Sequence, residues 1–433
     1  MPTNATGLWT VSDYGSTPNF SAGKKGSVFL ENSDKQVLRR LAIKVKELSL
    51  RPIETEKRKL WIDHNMLKTK QPVVFCDPEN GWNELVTEDM IECTSDLARR
   101  WEVVLKKEIY WAEVIKDDKV IEPNFDIGYT FEENNWGLET KMHGGHGGAY
   151  SWEPPIKDIG DLEKMEYIKI DIDHKTTNDT IELAEELFEG ILDVRLTGKW
   201  WWSLGLTIDL AFLRGLENMM WDMMDNKGLM NGAMKILSDG TLKKLDFLEV
   251  CDLLSINTDK YVGSGGFGYT EELPGPKDLD RPVKTKDIWG FGESQETGNV
   301  SPQMFEEFVF KYQLPILSRF GLNCYGCCEP LHPRWHIVKN IPNLRRVSVS
   351  PWADVEKMAE YLQDKYIFSV KPNPAELAVP EMDKDRVRKK IRQIREKTRD
   401  CVVEVLMKDN HTLGNNPENV TQWIKIVREE MGK

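Results

Sequence analysis

Residues 321–332, with the sequence GLNCYGCCEPLH, contain three cysteines, a carboxylate and an imidazole at the predicted end of a β-strand. Because side chains alternate between the two faces of a strand, Tyr325, Cys327 and Glu329 are expected on the same face. A thiolate, a carboxylate and an imidazole from elsewhere form a ligand set suited to zinc, with the fourth position open to a substrate. The alternative is that the cysteines are buried and pack as small apolar side chains, and we favour this alternative for Cys324 and Cys328.

Composition excludes several classes of protein. The chain has 58 lysines and arginines against 71 acidic residues, a net charge of -13, and no long basic run. Nucleic acids and anionic membranes are therefore not the expected partners. The first thirty residues lack the apolar core of a signal peptide, and no run of about 18 apolar residues is present. Seven cysteines without a disulfide framework fit a reducing compartment, so we expect a cytoplasmic protein.

The elements that must position the cluster change in character along the 433 residues. Residues 34–66 are predicted to form two charged amphipathic helices separated at Arg51-Pro52, and residues 84–115 continue the helical pattern. We therefore predict a helical N-terminal extension over residues 1–115 and a catalytic domain over residues 116–433. No internal repeat is visible.

The second segment alternates between apolar runs and helical patterns. Eight strands are predicted, with ends near Tyr129, Leu196, Ile256, Phe291, Cys327, Val349, Val370 and Met407. Parallel strands need helical crossovers, and eight of them close naturally into a barrel. The predicted fold is thus an α/β TIM (β/α)8 barrel with an N-terminal helical extension.

In such a barrel the residues that follow the strands face one shared mouth, where the active site lies. Polar and aromatic residues gather after the predicted strands, and His411, after the eighth, could meet Cys327 and Glu329 as a third metal ligand. The glycine-rich loops are interpreted as turns. For the loop histidines, an ordinary surface role is as good an interpretation as a role in the pocket. The candidate catalytic residues are Glu329, Tyr325, Asn257 and Glu293, and the candidate substrate-binding residues are His143, His146, Tyr150, Trp200, Tyr269 and Lys371.

Four segments resemble the uroporphyrinogen decarboxylase superfamily, whose barrels include corrinoid-dependent methyltransferases. They are residues 207–218 (TIDLAFLRGLEN), the cysteine cluster, residues 348–354 (SVSPWAD) and residues 414–420 (GNNPENV). In the methyltransferase branch, a His-x-Cys pair on the fifth strand and a cysteine after the eighth bind zinc. The matching positions here are Tyr325 to Glu329 and Asn410-His411, so the resemblance implies a permuted ligand set of Cys327, Glu329 and His411.

The resemblance implies a zinc-dependent methyltransferase of the O-demethylase type. It would move a methyl group from a small methylated donor, such as a methoxylated aromatic compound, to the cobalt of a corrinoid (cobalamin) carried by a partner protein. The chain has 15 tryptophans, and those near the mouth would hold such a donor. Two alternatives remain: a decarboxylase in which Lys371 or Glu293 handles protons, and a non-catalytic metal- or corrinoid-binding barrel. The oligomeric state is left open, with a homodimer as one outcome.

Overall fold

A computed structural model describes residues 28–144 and 150–433 of the chain. Short apolar runs form a parallel sheet of six strands in the order β1-β12-β11-β10-β9-β8, and β2 pairs in parallel with β7 in a second sheet. The hairpins β3/β6 and β4/β5 are antiparallel. The strands are β1 (Val73–Cys76), β2 (Asn124–Gly128), β3 (Phe131–Glu133), β4 (Lys141–Gly144), β5 (Tyr150–Glu153), β6 (Ile170–Ile172), β7 (Asp193–Thr197), β8 (Trp289–Gly292), β9 (Leu322–Tyr325), β10 (Leu344–Val349), β11 (Ile367–Val370) and β12 (Val402–Met407).

Fourteen α-helices occur in the described ranges, and together with the sheets they make a mixed α/β fold. None of these helices is long and apolar enough to cross a membrane. The helices are α1 (Asn32–Ser49), α2 (Pro52–Asn65), α3 (Trp82–Leu85), α4 (Asp96–Tyr110), α5 (His174–Phe188), α6 (Thr207–Arg214), α7 (Leu216–Asp225), α8 (Lys227–Val250), α9 (Pro302–Phe305), α10 (Lys311–Leu317), α11 (Trp335–Val338), α12 (Val355–Leu362), α13 (Lys384–Lys397) and α14 (Glu418–Met431).

The predicted helix and strand pattern agrees with the structure over most of the second half of the chain. The strands predicted to end near Val349, Val370 and Met407 are β10, β11 and β12. The strand predicted to end near Ile256 is not formed, because residues 253–257 pair with no neighbouring strand. Instead β1 lies in the sheet, where Val73 to Cys76 pair with β12. Residues 1–115 thus contribute a strand of the main sheet as well as helices, and the proposed domain boundary remains a prediction.

The N-terminal helices form as the sequence predicts, with Pro52 at the start of α2 fixing the break after α1. α4 begins at Asp96, well after the predicted start at residue 84, because Ser95 caps it by accepting a hydrogen bond from the backbone N–H of Ala98. Asp34 of α1 accepts hydrogen bonds from Thr94 and Ser95 and ties the two helices together. The segment between these two helices contains α2, β1 and α3, and β1 pairs with β12 in the main sheet.

A buried ion cluster joins the sheet to the end of α2. Nε of Arg346 on β10 lies 3.0 Å from Oε1 of Glu404 on β12, and Nε2 of His64 lies 3.3 Å from the other carboxylate oxygen. Arg346 also donates to the side chain of Asn65 at 2.7 Å and to the carbonyl of Phe267 at 3.0 Å. The side chains of the ion cluster have no solvent exposure, so each charge depends on the others for stabilisation.

Candidate functional site

The carboxyl ends of the parallel strands carry a concentration of ionisable side chains. Asp77 follows β1, Lys371 follows β11, and Lys408 follows β12 directly. Lys199 stands two residues after β7, and its pKa is affected by Lys408 and Asp77. The end of β7 therefore faces the same region as the end of the six-stranded sheet. Strands that run in parallel place the residues after them at one edge, as expected for an active site in an α/β fold.

An open cavity of about 130 Å³ lies beside this edge. Its walls come from the segment after β7, from residues 254–263 and from β8, and they include Trp200, Trp201 and Trp202. Trp200 is the deepest of the three and donates its indole N–H to the carbonyl of Leu253 at 2.8 Å. Trp202 is 39% exposed and its ring meets that of Phe291 edge to face. The cavity thus offers apolar, aromatic surface to a small organic molecule.

Lys199 is the ammonium group that lines this cavity together with Lys260. Burial lowers the pKa of Lys199 to about 8, and the positive charge of Lys408 adds to the effect. Lys260 is bound in an ion pair with Asp126. A group whose pKa lies near neutrality can both give and take a proton during a reaction.

Two carboxylates after β1 belong to the same electrostatic cluster. Burial raises the pKa of Glu79 to about 7, with Lys408 opposing the shift and Asp409 adding to it. Asp77 accepts hydrogen bonds from Trp82 Nε1 at 2.8 Å and from the hydroxyl of Tyr261 at 3.2 Å. The pKa of Tyr261 is raised by burial and by the Asp77 charge, so the phenol stays protonated and donates. Tyr261 lines the cavity, which connects the aromatic wall to the carboxylates.

The turn after β9 holds the predicted cysteine cluster. Cys327 and Cys328 have their sulfur atoms 3.7 Å apart, with Cys327 buried and Cys328 exposed. Their shared hydrogen bond lowers the pKa of Cys328 and raises that of Cys327, and burial adds to the rise. Lys371 is buried, but Cys327 and Asp409 outweigh the desolvation and raise its pKa. The thiols thus lie in the field of a fixed ammonium group.

The structure does not bring the three predicted metal ligands together. The Glu329 carboxylate accepts hydrogen bonds from the backbone N–H of Ser294 and of Cys327, both at 2.9 Å, so it turns into the loop. His411 is exposed, with Nδ1 3.2 Å from the side-chain amide of Asn80. Across residues 28–144 and 150–433, no three His, Cys, Asp or Glu side chains are grouped closely enough to hold a metal ion. The predicted zinc ligand set therefore does not fit this geometry.

Of the other predicted site residues, Asn257 and Trp200 line the cavity. Asn257 is bound at both ends of its amide to the backbone of Trp289, at 2.9 and 3.0 Å, which positions the cavity wall. Lys371 follows β11, interacts electrostatically with the thiols after β9 and donates to the hydroxyl of Ser264.

Three more predicted residues have structural partners in the interior. Tyr325 is fully buried and donates to the side chain of Gln313 at 2.7 Å. Tyr269 donates to Glu122 at 2.9 Å. Glu293 accepts from the hydroxyl of Ser203 at 3.0 Å, and burial together with the charge of Glu296 raises its pKa. These hydrogen bonds explain how the three polar groups are buried, and none of the three lines the cavity.

The predicted substrate-binding loop after β4 is described in part. His143 is exposed and lies 3.0 Å from the carboxylate of Glu153 across the β4/β5 hairpin. Tyr150 begins β5, where its backbone pairs with Gly144. His146 lies outside the described residues.

Sequence reasoning missed Asp77, Glu79 and Lys199. The apolar run VVFC before Asp77 is short and bounded by the turn residues DPENG, which is the pattern of a buried strand. It lies within the predicted helical extension, and that prediction does not place the acidic residues after it at the mouth. Lys199 precedes three tryptophans, and only its neighbourhood of charged groups distinguishes it from a surface lysine.

No known protein-family model matches this sequence, and no curated protein matches it. Among solved structures, the chain is similar to a methyltransferase from Methanosarcina mazei, with 13% sequence identity and a TM-score of 0.40. The similarity covers 69% of this chain and 77% of the methyltransferase. A similarity at this level identifies neither a family nor an activity.

Proposed function

We propose that this protein transfers a methyl group from a small methylated compound to an acceptor nucleophile at the carboxyl ends of its parallel strands. The proposal rests on the tryptophan-walled cavity in which Lys199 carries an ammonium group with a pKa of about 8. It agrees with the resemblance of four segments to the corrinoid-dependent methyltransferases. Methoxylated aromatic compounds are the substrate class that an aromatic wall and a proton donor suit best.

The proposed reaction needs a leaving group that can depart with an extra electron pair. As the bond between the methyl carbon and the donor oxygen breaks, the ammonium of Lys199 would give its proton to that oxygen. The donor then leaves as a neutral hydroxyl compound, and the lysine regains a proton from water. The tryptophans would hold the donor ring and exclude water from the departing oxygen.

A reduced corrinoid carried by a partner protein is the acceptor that the resemblance implies, and it would supply the nucleophile for the methyl carbon. Zinc has no such place in the proposed mechanism, because Glu329 and His411 are bonded to Ser294 and Asn80 and are not grouped with Cys327 in the described part of the chain. Proton donation by Lys199 takes over the polarising role that zinc was predicted to have.

The proposed fold for this reaction is a single closed barrel. The described strands that run in parallel are six in the main sheet and two in the second, which matches the eight of a TIM barrel. The backbone N–H of Leu204, after β7, donates to the carbonyl of Phe291 on β8 at 2.9 Å and links the two sheets. On the other side, Asp118 donates to Val74 of β1 at 3.0 Å, six residues before β2 begins. These links support closure between β7 and β8 and between β1 and β2.

The test is methyl transfer from methoxylated aromatics, methanol, methylamines and methylthiols to reduced cobalamin, alone and with corrinoid proteins. We expect transfer from at least one methoxylated aromatic compound and a fall in kcat above pH 8 as Lys199 loses its proton. Lys199→Met should lower kcat by about 100-fold or more, the usual contribution of a general acid, and remove the fall above pH 8. Lys277→Met is the matched control, since Lys277 is 85% exposed and pairs only at the surface with Asp193.

Absence of methyl transfer from every donor class would refute the proposal. A Lys199→Met variant with unchanged kcat and an unchanged pH profile would leave methyl transfer possible but remove Lys199 as the proton donor. The comparison with the variant is made only if the circular dichroism spectra of the variant and the wild type agree, which shows that both are folded.

A decarboxylase is the second candidate, favoured by the pairing of Lys199 and Lys408 near Glu79. Two ammonium groups would bind a substrate carboxylate, and the neutral form of Glu79, whose pKa is about 7, would protonate the carbanion left after CO₂ departs. The earlier candidates for proton transfer, Lys371 and Glu293, have buried hydroxyl partners in Ser264 and Ser203. Release of CO₂ from aromatic or small carboxylic acids, with no methyl transfer, would establish this alternative.

A further inference from the structure

The turn after β9 places two neighbouring thiols in contact at the edge of the site. The sulfur atoms of Cys327 and Cys328 are 3.7 Å apart, and neither is in a disulfide bond. We propose that these cysteines form a redox-active dithiol that a low-molecular-weight disulfide oxidises to a bond between neighbouring residues. This modification site is independent of the methyl-transfer proposal, because it requires only the two sulfurs and their surroundings.

The backbone of the turn is anchored on both sides of the pair. Gly326 has φ of +96° and donates its N–H to the carbonyl of Gly292 at 2.9 Å. Its own carbonyl accepts from the hydroxyl of Ser264 at 2.9 Å. The N–H of Cys327 donates to the carboxylate of Glu329 at 2.9 Å. An anchored backbone keeps the two side chains together, so only about 1.7 Å of sulfur movement separates the dithiol from a bond length of about 2.0 Å.

The two sulfurs differ in exposure and share one buried cationic neighbour. Lys371 is buried and bonded to Ser264, and its ammonium interacts electrostatically with both sulfurs. Cys328 is exposed and can meet an incoming disulfide, whereas Cys327 is buried beside it. The exposed sulfur is thus the attacking group and the buried one the resolving group.

The exchange proceeds in two balanced steps. The Cys328 thiolate attacks one sulfur of the external disulfide, forms a mixed disulfide and releases the first small thiolate. Cys327 then loses its proton, attacks the Cys328 sulfur and releases the second small thiolate. The pair gives up two electrons in total, and the external disulfide takes them up.

The product should be easy to reduce. Neighbouring Cα atoms across a trans peptide are about 3.8 Å apart, which is below the usual range of roughly 4.4–6.8 Å for a disulfide. The strain makes the bond labile, as expected for a reversible modification and not for a structural crosslink.

The experiment exposes the folded protein to millimolar oxidised glutathione, blocks the remaining thiols with N-ethylmaleimide and identifies the products by peptide mass spectrometry. We expect the peptide from Phe320 to Arg334 to lose two hydrogen atoms, with the bond assigned to Cys327 and Cys328 by fragmentation. Dithiothreitol should restore both thiols. Cys328→Ser should abolish the product, whereas Cys324→Ser, on the same peptide, should retain it.

Cys251 supplies an internal control, because it is an exposed cysteine at the end of α8, outside the turn after β9. It should give only a glutathione adduct. A stable glutathione adduct on Cys328 without the internal bond would overturn the proposal, as would a bond between Cys324 and Cys327. If Cys328→Ser does not fold, wild-type protein treated with phenylarsine oxide, which bridges neighbouring thiols, serves instead. The arsenical should then protect both cysteines from maleimide, and failure of protection would also overturn the proposal.

Discussion

Replacing Glu404 by glutamine tests the buried ion cluster that joins β10, β12 and α2. The substitution leaves Arg346 buried with a neutral partner in place of a carboxylate 3.0 Å away. Breaking a buried pair by removing one charge costs about 3–5 kcal/mol. The pKa of Glu404 gives an independent magnitude: burial alone would raise it, but Arg346 and His64 lower it from 4.5 to about 2. A shift of that size corresponds to about 3 kcal/mol.

The pH dependence has a definite sign. A carboxylate whose folded pKa is lowered stabilises the protein above its unfolded pKa of 4.5, and this contribution is lost as the pH falls towards 2. By this relation, the wild type loses about 0.8 kcal/mol by pH 4 and about 2 kcal/mol by pH 3 through Glu404 alone. In urea denaturation, the free energy of unfolding of Glu404→Gln should therefore be lower than that of the wild type by at least about 3 kcal/mol at pH 7. This difference should narrow by about 2 kcal/mol at pH 3.

The matched control is Glu356→Gln, because Glu356 is 68% exposed and lies 3.4 Å from Lys397 at the surface. Its gap from the wild type should stay within about 0.5 kcal/mol at every pH. A Glu404→Gln gap below 1 kcal/mol, or one that stays constant between pH 7 and pH 3, would refute the assignment of a charged, buried cluster.

Three further predictions concern the cavity and the metal. Gly263→Ala should lower the melting temperature in a thermal denaturation scan, because Gly263 has φ of +57° and its new Cβ would lie 2.0 Å from the Phe291 ring. Trp202→Ala should raise KM for an aromatic donor several-fold in steady-state assays, whereas Trp221→Ala, at an exposed position on α7, should leave KM unchanged. His411→Ala should not change the zinc content measured by elemental analysis, since His411 is exposed and pairs with an amide; loss of bound zinc would restore it as a ligand.

The elements of the second half of the chain could be predicted because their signals are local. Apolar runs of four to six residues between helical patterns predicted β10, β11 and β12 nearly to the residue. The same logic missed β1, whose four apolar residues lie between helices and become a strand by pairing with β12. It also placed a strand near Ile256, where the apolar residues line the cavity and have no strand partner.

The candidate site was predicted less well, because a residue's role there depends on where its side chain points as well as on its position in the sequence. Strand alternation placed Cys327 and Glu329 on one face, but the backbone leaves β9 at Tyr325 and turns at Gly326. Alternation no longer applies beyond that point, and the Glu329 carboxylate bonds to Ser294 in the loop. The sequence carried no signal for that turn beyond a single glycine.

The sequence by itself determined a mixed α/β chain with a helical N-terminal region, parallel strands and a cysteine cluster at a strand end. Periodicity and composition are properties of neighbouring residues, so they can be determined from the sequence without knowing the fold. Only the tertiary structure decided that Lys199, Asp77 and Lys408 affect one another across the mouth, although more than 100 residues separate each from the next along the chain. Their pKa values depend on burial and on charges brought close by strand order, and neither quantity is encoded in any local stretch of sequence.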